Sequence, residues 1–549
     1  SNNSILDFLN PGYSHQYLID ATPVVDDVFM RFKTGSGGIE SDKAWGTILV
    51  GAYGAGGKGL FALDITDPEV EEEDAAKTVL WEFTNQDDVY PTYQGSPILN
   101  NDGDRYRDGS GAMIKDLGLT VHEPVIALSN VRAPSDDNAL EWMALVGNGV
   151  NSGAGIAKLF ALFLDRGSDG VWCHPDAQYN NASLATASLR DGCDISDQDF
   201  IKIDTGVGGE SIGGDVYPNG LGSVRAIDID QNGTVDYAYA GDMRGNLYRF
   251  DLCLAGLRAW ETGDFYTEYS GALTECKQGA DVHLDWTVQK IFSAVYSDTS
   301  QPILSRPIVV ENPQGGVVVV FGTGRYIVNG DNTNTDVQSV YGIWDRFDNR
   351  TVLKAELEPQ EYTNVCGTIT VAGEDVASCA RTLSSNAVEY DADPEDGSDA
   401  VLGWYIDLDL PAGGASSGVE HPGERAIRNL QIRGGIAFVN SVLPTTAAAC
   451  TQADGGFELA FCPLTGNDAC FGEAVFDLNN DGDFSASDNF GTAVVSGLII
   501  DDSRPSDSAF AGAARVTQLS DQSLKISVTN TQTSTNTGRL SWRRLNNEQ

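Results

Sequence analysis

The stretch DIDQNGTVDYAYAGDMRGNLYRFDL, Asp228 to Leu252, decides how this chain is read. Its first nine residues place oxygen-bearing side chains at alternate positions around Gly233, the arrangement of a calcium loop. An EF-hand would carry a bidentate Glu at the twelfth position and continue into a helix. Here the twelfth position is Tyr239, and the following residues, YAYAGD and then NLYRFDL, have the pattern of two short strands joined by a turn. Calcium chemistry is thus written into a loop of a β protein.

The strand pair after that loop recurs along the chain. A short apolar strand ends in Gly, a loop follows, and a second strand of bulky and aromatic residues closes on Asp. Copies run over Trp45–Pro68, Trp142–Asp165 and Val235–Leu252, then over 317–328 completed by 339–345. GWYIDLDL at 403–410 reads as a fifth copy, and 433–444 with 457–461 as a degenerate sixth. Alternating strands at recurring intervals, with almost no amphipathic helix, predict an all-β chain folded as a modified β-propeller of six to seven blades. One domain over 1–549 is expected, with long insertions near 166–210, 254–300 and 346–402. The closing Asp of each copy suits a turn cap, because its carboxylate bonds nearby backbone N–H groups.

Within 228–236 the calcium frame supplies Asp228, Asp230, Asn232, the carbonyl of Thr234, and Asp236, with Gly233 permitting the tight curl. The frame lacks an acid at twelve, so a further ligand is expected from elsewhere or from water. DLNNDGDFSASD, 477–488, fills all twelve positions. It offers Asp477, Asn479, Asp481, the carbonyl of Asp483, Ser485 and Asp488, with Phe484 as the apolar plug, and is close to a dockerin-type loop. Both loops predict Ca2+, which takes six to eight oxygen ligands. NNDGDRYRDG at 100–109 has the spacing but sets Arg105 where Gly is wanted, so it reads as a polar turn. DRGSDG at 165–170 and DNTNTD at 331–336 are weaker matches.

The net charge of −45, from 34 basic and 79 acidic residues, repels phosphate backbones and argues against nucleic-acid partners. It also disfavours electrostatic docking on anionic lipid. The carboxylates either bind divalent cations or keep the surface solvated. The nine cysteines show no C-x-x-C and no zinc spacing. They fall into local groups inside loop-rich segments, which predicts disulfides and an oxidising compartment. The expected pairs are 173 with 193, 253 with 276, and 366 with 379; Cys450, Cys462 and Cys470 leave one over. The longest apolar run, VVVVFG, is too short to span a membrane. No signal peptide is visible, and the abrupt start at Ser1 leads us to expect export signals upstream.

GAYGAGGKG, 51–59, imitates a phosphate-binding loop, but Lys58 is followed by Gly59 and a β pattern rather than by Ser or Thr and a helix. A hairpin loop is expected. The five histidines (15, 122, 174, 283, 421) are scattered and G-x-S-x-G is absent, so no catalytic constellation is legible. The expected role is non-enzymatic.

An ordered series of segments resembles the PilY/PilC family of type IV pilus proteins. It includes DATPVVDDVF (20–29), ILVGAYGAGGKGLFALDITDP (48–68), VLWEFTNQDD (79–88) and the opening stretch. It continues through FGTGRYIVNGD (321–331), QSVYGIWD (338–345), GERAIRN (423–429), AVFDLNNDGDF (474–484) and GRLSWRRL (538–545). The resemblance implies the C-terminal propeller of a pilus-tip adhesin and biogenesis factor, exported through the periplasm to the outer surface. Its partners would be minor pilins at the tip and a host or abiotic surface. It further implies calcium at Asp228, Asp230, Asn232, Thr234 and Asp236, with occupancy influencing pilus extension and retraction. The family's N-terminal portion has no counterpart here, and the Arg-Gly-Asp tripeptide of some members is absent. Two other classes fit parts of the pattern. A quinoprotein dehydrogenase also uses propellers and calcium, but its Trp-docking repeats and adjacent-Cys pair are not evident. A lectin-like adhesin would use the metal to bridge a sugar.

Overall fold

The computed structural model of the chain describes residues 17–34, 37–69, 75–88, 115–133, 136–173, 199–212, 215–253, 286–328, 330–390, 401–408, 421–444, 455–501 and 503–531. Contacts divide the chain into two compact units, Ser1–Leu221 and Gly222–Gln549.

The first unit holds two four-stranded antiparallel meanders. One is β1 (Val24–Met30), β2 (Ala44–Ala52), β3 (Gly59–Asp64) and β4 (Val79–Thr84). The other is β5 (Val125–Ala133), β6 (Asp136–Gly147), β7 (Lys158–Phe163) and β8 (Phe200–Asp204). A short ribbon, β9 (Glu210–Ile212) with β10 (Asp215–Tyr217), follows. β7 is buried at every position, which is why LFALF, after Lys158, reads as an unbroken apolar run rather than an alternating one. Trp81, Phe83, Phe160, Trp172 and Phe200 form one core in this unit. Phe83 meets Trp172 and Phe200 edge-on at 5.0 Å, the arrangement that aromatic quadrupoles favour. The glycine-rich 51–59 segment is the β2–β3 hairpin connection, as its β flanks predicted.

The second unit begins with β11 (Leu221–Ile227), β12 (Tyr237–Asp242), β13 (Asn246–Asp251) and β14 (Thr287–Ser293), again an ordered four-stranded sheet. After the small ribbon β15 (Val295–Tyr296) and β16 (Thr299–Ser300) come β17 (Ile308–Glu311), β18 (Val317–Gly322) and β19 (Ser339–Asp345). The span 346–402, read from sequence as an insertion, carries β20 (Glu358–Gln360), β21 (Tyr362–Val371) and β22 (Glu374–Leu383). β23 (Gly403–Asp407) returns to pair with β19 and, in parallel, with β20. GWYIDLDL is therefore not a fifth module, as expected from its pattern. It belongs to the sheet of the fourth, between β19 and the edge strand β20, and is separated from β19 in the chain because the β21–β22 hairpin leaves for the next sheet. That sheet is ordered β21-β22-β27-β26-β25-β24, with β24 (Gln431–Arg433), β25 (Ile436–Val442), β26 (Gly456–Phe461) and β27 (Val495–Ile500). A three-stranded meander, β28 (Pro505–Ala511), β29 (Ala514–Leu519) and β30 (Leu524–Val528), ends the described chain. The other two insertion spans contain β8 and β14, the last strands of their sheets.

Three closing aspartates act as the sequence suggested, each accepting from the N–H two residues on: Asp64 from Thr66, Asp251 from Cys253 and Asp345 from Phe347. Asp165 instead receives the backbone and side chain of Arg31, and Asp407 receives Lys354. Asp345 also meets Arg249 at 2.6 Å and the Tyr239 hydroxyl at 2.9 Å.

Cys366 and Cys379 are joined by a disulfide across directly paired residues of β21 and β22, as expected. Cys462 pairs with Cys470. Cys173 and Cys253 are each engaged in a disulfide as well, with no pairing assigned between them, while Cys193, Cys276 and Cys450 lie outside the described residues. Much of the 366–379 strand pair is solvent-exposed, so little packing replaces the crosslink. Replacing both cysteines by serine should cost about 2–3 kcal/mol of unfolding free energy, read by urea titration. Among the described residues no helix is long and apolar enough to cross a membrane.

Candidate metal centre

The 228–236 loop connects β11 to β12, and the Asp236 N–H donating to the Ile227 carbonyl at 2.9 Å closes its base. Two residues with positive φ curl the backbone, Gln231 at 62° and Gly233 at 94°. A side chain at Gly233 would have to adopt that left-handed conformation at a cost of about 1–2 kcal/mol. Asp228 accepts from the N–H groups of Asn232 (3.2 Å) and Gly233 (2.7 Å). Asp236 reaches back to accept from Ile229 (2.6 Å) and Asp230 (3.3 Å). Carboxylate oxygens of Asp228, Asp230 and Asp236 lie within 4.8 Å of one another. Asn232 donates to Asp230 and accepts from both the N–H and the hydroxyl of Thr234.

The 477–488 loop is built in the same way. Asp477 accepts from Asp481 (3.2 Å) and Gly482 (3.1 Å), the groups four and five residues ahead. Asp488 accepts from Leu478 (2.8 Å) and Asn479 (3.1 Å), the second and third residues of the loop. Asn480 at 58° and Gly482 at 84° repeat the backbone curl. Asp477, Asp481 and Asp488 bring their carboxylates within 4.8 Å. Asn479 donates to Asp481 and Ser487, and Phe484 is half-buried. Ser485 caps the short 3-10 turn Ala486–Asp488, and the Asp483 side chain accepts from the Phe484 N–H. The Asp477 N–H donates to the Val528 carbonyl, and the Asn530 N–H to the Val475 carbonyl. These bonds pin the loop's start to the end of β30.

The two loops share one bond pattern although the first is shorter. Asp236, at position nine, closes on the amides of positions two and three, as Asp488 does from position twelve. The first loop is a shortened cage. Tyr239, the nominal twelfth residue, is fully buried in β12 with its hydroxyl on Asp345. The sequence alone bounds this loop at 228–236, with the strand YAYAGD starting directly after Asp236, and leaves the role of the twelfth position open.

Among the other acidic segments, 100–109 lies outside the described residues. DNTNTD is organised around an internal cation. The buried Arg425 guanidinium donates to the carbonyls of Arg325 (2.9 Å), Asp331 (2.8 Å) and Asn334 (2.5 Å). Asp165 in DRGSDG is paired with Arg31 and Lys43.

The two cages have the donor chemistry of a hard cation: oxygen only, three carboxylates each, on a curled backbone. Without a cation they are electrostatically poor. Pairs of carboxylates about 5 Å apart repel by roughly 1–3 kcal/mol, depending on how far water screens them. Burial pushes the Asp236 carboxyl up to about 6, Asp230 and Asp228 add to the shift, and the Ile229 and Asp230 N–H groups work against it. Burial also raises Asp228, with Asp230 adding and the Gly233 N–H opposing.

A family model described as the PilY1 beta-propeller domain matches residues 5–155 and 201–361, more than half of the chain. The type IV pilus biogenesis factor PilY1 of Pseudomonas aeruginosa strain UCBPP-PA14 is 27% identical over 505 residues, covering 88% of this chain and 34% of that protein. A PilY1 homolog of Xylella fastidiosa strain Temecula1 is 26% identical over 447 residues, covering 81% of this chain and 23% of its own length. The chain thus spans about a third or less of these curated relatives. The crystal structure of the Pseudomonas aeruginosa PilY1 C-terminal domain shares the fold, with a TM-score of 0.62 and 24% identity over 96% of this chain and 86% of that one. From the repeated strand meanders, the matched segments and this shared fold it follows that the chain belongs to the PilY1 β-propeller family.

Proposed function

We propose that this chain is the calcium-holding propeller of a type IV pilus biogenesis protein, acting at the pilus tip or outer cell surface as a non-enzymatic binder. The observation that carries the reading is the same cage built twice, in 228–236 and 477–488, on a chain of this family. Relatives are named type IV pilus biogenesis factors, and the disulfides suit an exported protein. Asp228, Asp230, Asn232, the Thr234 carbonyl and Asp236 hold one ion. Asp477, Asn479, Asp481, the Asp483 carbonyl, Ser485 and Asp488 hold the other, with water completing each shell. Calcium cancels the repulsion among the carboxylates and so fixes the β11–β12 connection and the segment leading to β27. The ordered surface then meets minor pilins or an adhesion target. Introducing Asp228→Ala with Asp236→Ala into the full-length protein tests this: calorimetry should lose one calcium site, and surface pili should fall in number. Unchanged calcium stoichiometry would sink the metal assignment; unchanged piliation would sink its role in biogenesis.

Acid should release the first ion. The folded metal-free chain holds the Asp236 proton up to about pH 6, against 3.8 for an ordinary Asp. This group's contribution to metal-free stability therefore falls as pH rises from about 4 through 6 and is lowest above that. Calcium needs the ionised form, so its affinity should be constant above pH 7 and drop up to tenfold per unit below 6. Titrations at pH 5, 6 and 7.5 check this, and Asp236→Asn should abolish the dependence along with the site.

A further inference from the structure

In the first unit, Lys202 lies in β8, the last strand of the second meander, and Asp88 follows β4, the last strand of the first. Lys202 Nζ stands 2.5 Å from Asp88 Oδ1 and 3.0 Å from Asp116 Oδ2. All three side chains are wholly buried. The Phe160 and Phe200 rings lie 5.6 and 5.8 Å from the same nitrogen. The other oxygen of Asp88, Oδ2, accepts from the N–H groups of Asp116 and Leu117, both at 2.7 Å. The Asp88 N–H donates to the Thr84 carbonyl at 3.2 Å, so backbone and carboxyl are both held.

An ion pair needs two opposite charges and nothing more. Around Asp88 stand all the parts of an acyl transfer. The amine nitrogen is held against the carboxyl by the fold, which replaces a bimolecular encounter by a fixed geometry. Two backbone N–H groups point at Oδ2, where negative charge develops once Cγ becomes tetrahedral. Asp116 touches the same Nζ and is placed to take its proton. Burial keeps bulk water from the site. The cluster also gains by losing charge. Two ammoniums, Lys158 and Lys202, face three carboxylates, Asp88, Asp116 and Asp204. Joining Lys202 to Asp88 removes two charges from a dry interior and leaves Lys158 between Asp116 and Asp204. Burial works against the Lys202 charge, but Asp88 and Asp116 outweigh it and keep the amine protonated. The proton must therefore pass to Asp116 as attack begins, which makes the step slow. A reaction that runs once per molecule tolerates that.

We propose that Lys202 and Asp88 condense after folding into an intramolecular isopeptide bond, with Asp116 carrying the proton. Lys202 Nζ passes a proton to Asp116 and attacks Asp88 Cγ, forming the C–N bond. The C–O bond to Oδ1 then breaks. Of the three ammonium protons one stays on the amide nitrogen and two leave with Oδ1 as water, and Asp116 ends as the carboxylate it began as. Nothing is oxidised or reduced. The bond ties the last strands of the two meanders covalently, and it is independent of the calcium reading. The test is mass spectrometry of the whole chain after folding and disulfide reduction. The intact mass should lie one water below that of the sequence, and a protease digest should yield a branched peptide carrying both Lys202 and Asp88. The full sequence mass, or a lost water without the branched peptide, would overturn the proposal and leave a buried ion pair. Lys202→Arg, which keeps the charge, should restore the full mass. Asp116→Asn should leave Lys202 and Asp88 unjoined, and joining at the unaltered yield would refute the role of Asp116. Should the asparagine variant fail to fold, the digest of the unaltered chain still decides on the bond.

Discussion

Calcium at saturating concentration should raise the melting temperature of the second unit by about 10 °C, roughly half from each ion, and chelation should reverse it. An ion that binds only the folded loop at a hundred times its dissociation constant adds about 2.7 kcal/mol. For a domain of this size 1 kcal/mol moves the midpoint by roughly 2–4 °C. Asp228→Ala with Asp236→Ala should remove one ion's share, and Asp477→Ala with Asp488→Ala the other's. The second pair carries a structural consequence the first lacks. The 477–488 loop is pinned to the end of β30 through Asp477 N–H and Val528, so losing its ion loosens the terminal meander. Limited proteolysis should then cut the 503–531 region faster, while the 228–236 variant leaves it protected. Calorimetric scanning with and without chelator, showing no difference for the unaltered chain, would refute both assignments.

Lys202→Met should be the most damaging single substitution in the first unit, costing about 3–5 kcal/mol. Lys202 Nζ lies 2.5 Å from Asp88 and 3.0 Å from Asp116, and all three side chains are fully buried. Asp116 also meets Lys158 at 2.7 Å, and Lys158 reaches Asp204 at 3.1 Å. Burial works against the Lys202 charge, but Asp88 and Asp116 more than offset it and hold its pKa above the ordinary value. Removing the ammonium leaves buried carboxylates uncompensated, which is the expensive way to break an ion pair. The loss also has a positional meaning. Asp88 accepts from the N–H groups of Asp116 and Leu117 at 2.7 Å, so one lysine ties residue 88 to 116 across a long stretch of chain. Lys202→Met with Asp88→Asn should recover part of the loss, because the uncompensated charge goes with it. Urea unfolding of the single and double variants measures the coupling, and additive effects would show the pair to be independent.

Several features were legible before any coordinates. The alternation in ILVGA, the unbroken apolar runs in LFALF and VVVVFG, and the terminal aspartates fix the local strands, because strand formation depends on which faces are to be covered. The curl of both acidic loops was legible too, since Gly233 and Gly482 sit where the backbone must turn left-handed. The Cys366–Cys379 pair followed from closeness in sequence.

Strand assignment between sheets was not legible. GWYIDLDL has the pattern of every other closing strand, and only the departure of the β21–β22 hairpin to another sheet makes it the partner of β19. The same holds for the way the first acidic loop closes. Its composition gives the carboxylates, but that Asp236 bonds the second and third amides of the loop depends on where β12 is held by Asp251 and by the core beneath Tyr239. The Lys202 cluster lies further still from the sequence's reach. Lys202 is 114 residues from Asp88 and 86 from Asp116 in the chain, and no local propensity couples them. The sequence by itself determined the strands, the loop chemistry and the family. Tertiary structure alone decided which distant charges meet, because burial sets the strength of an electrostatic contact and burial is a property of the packed chain.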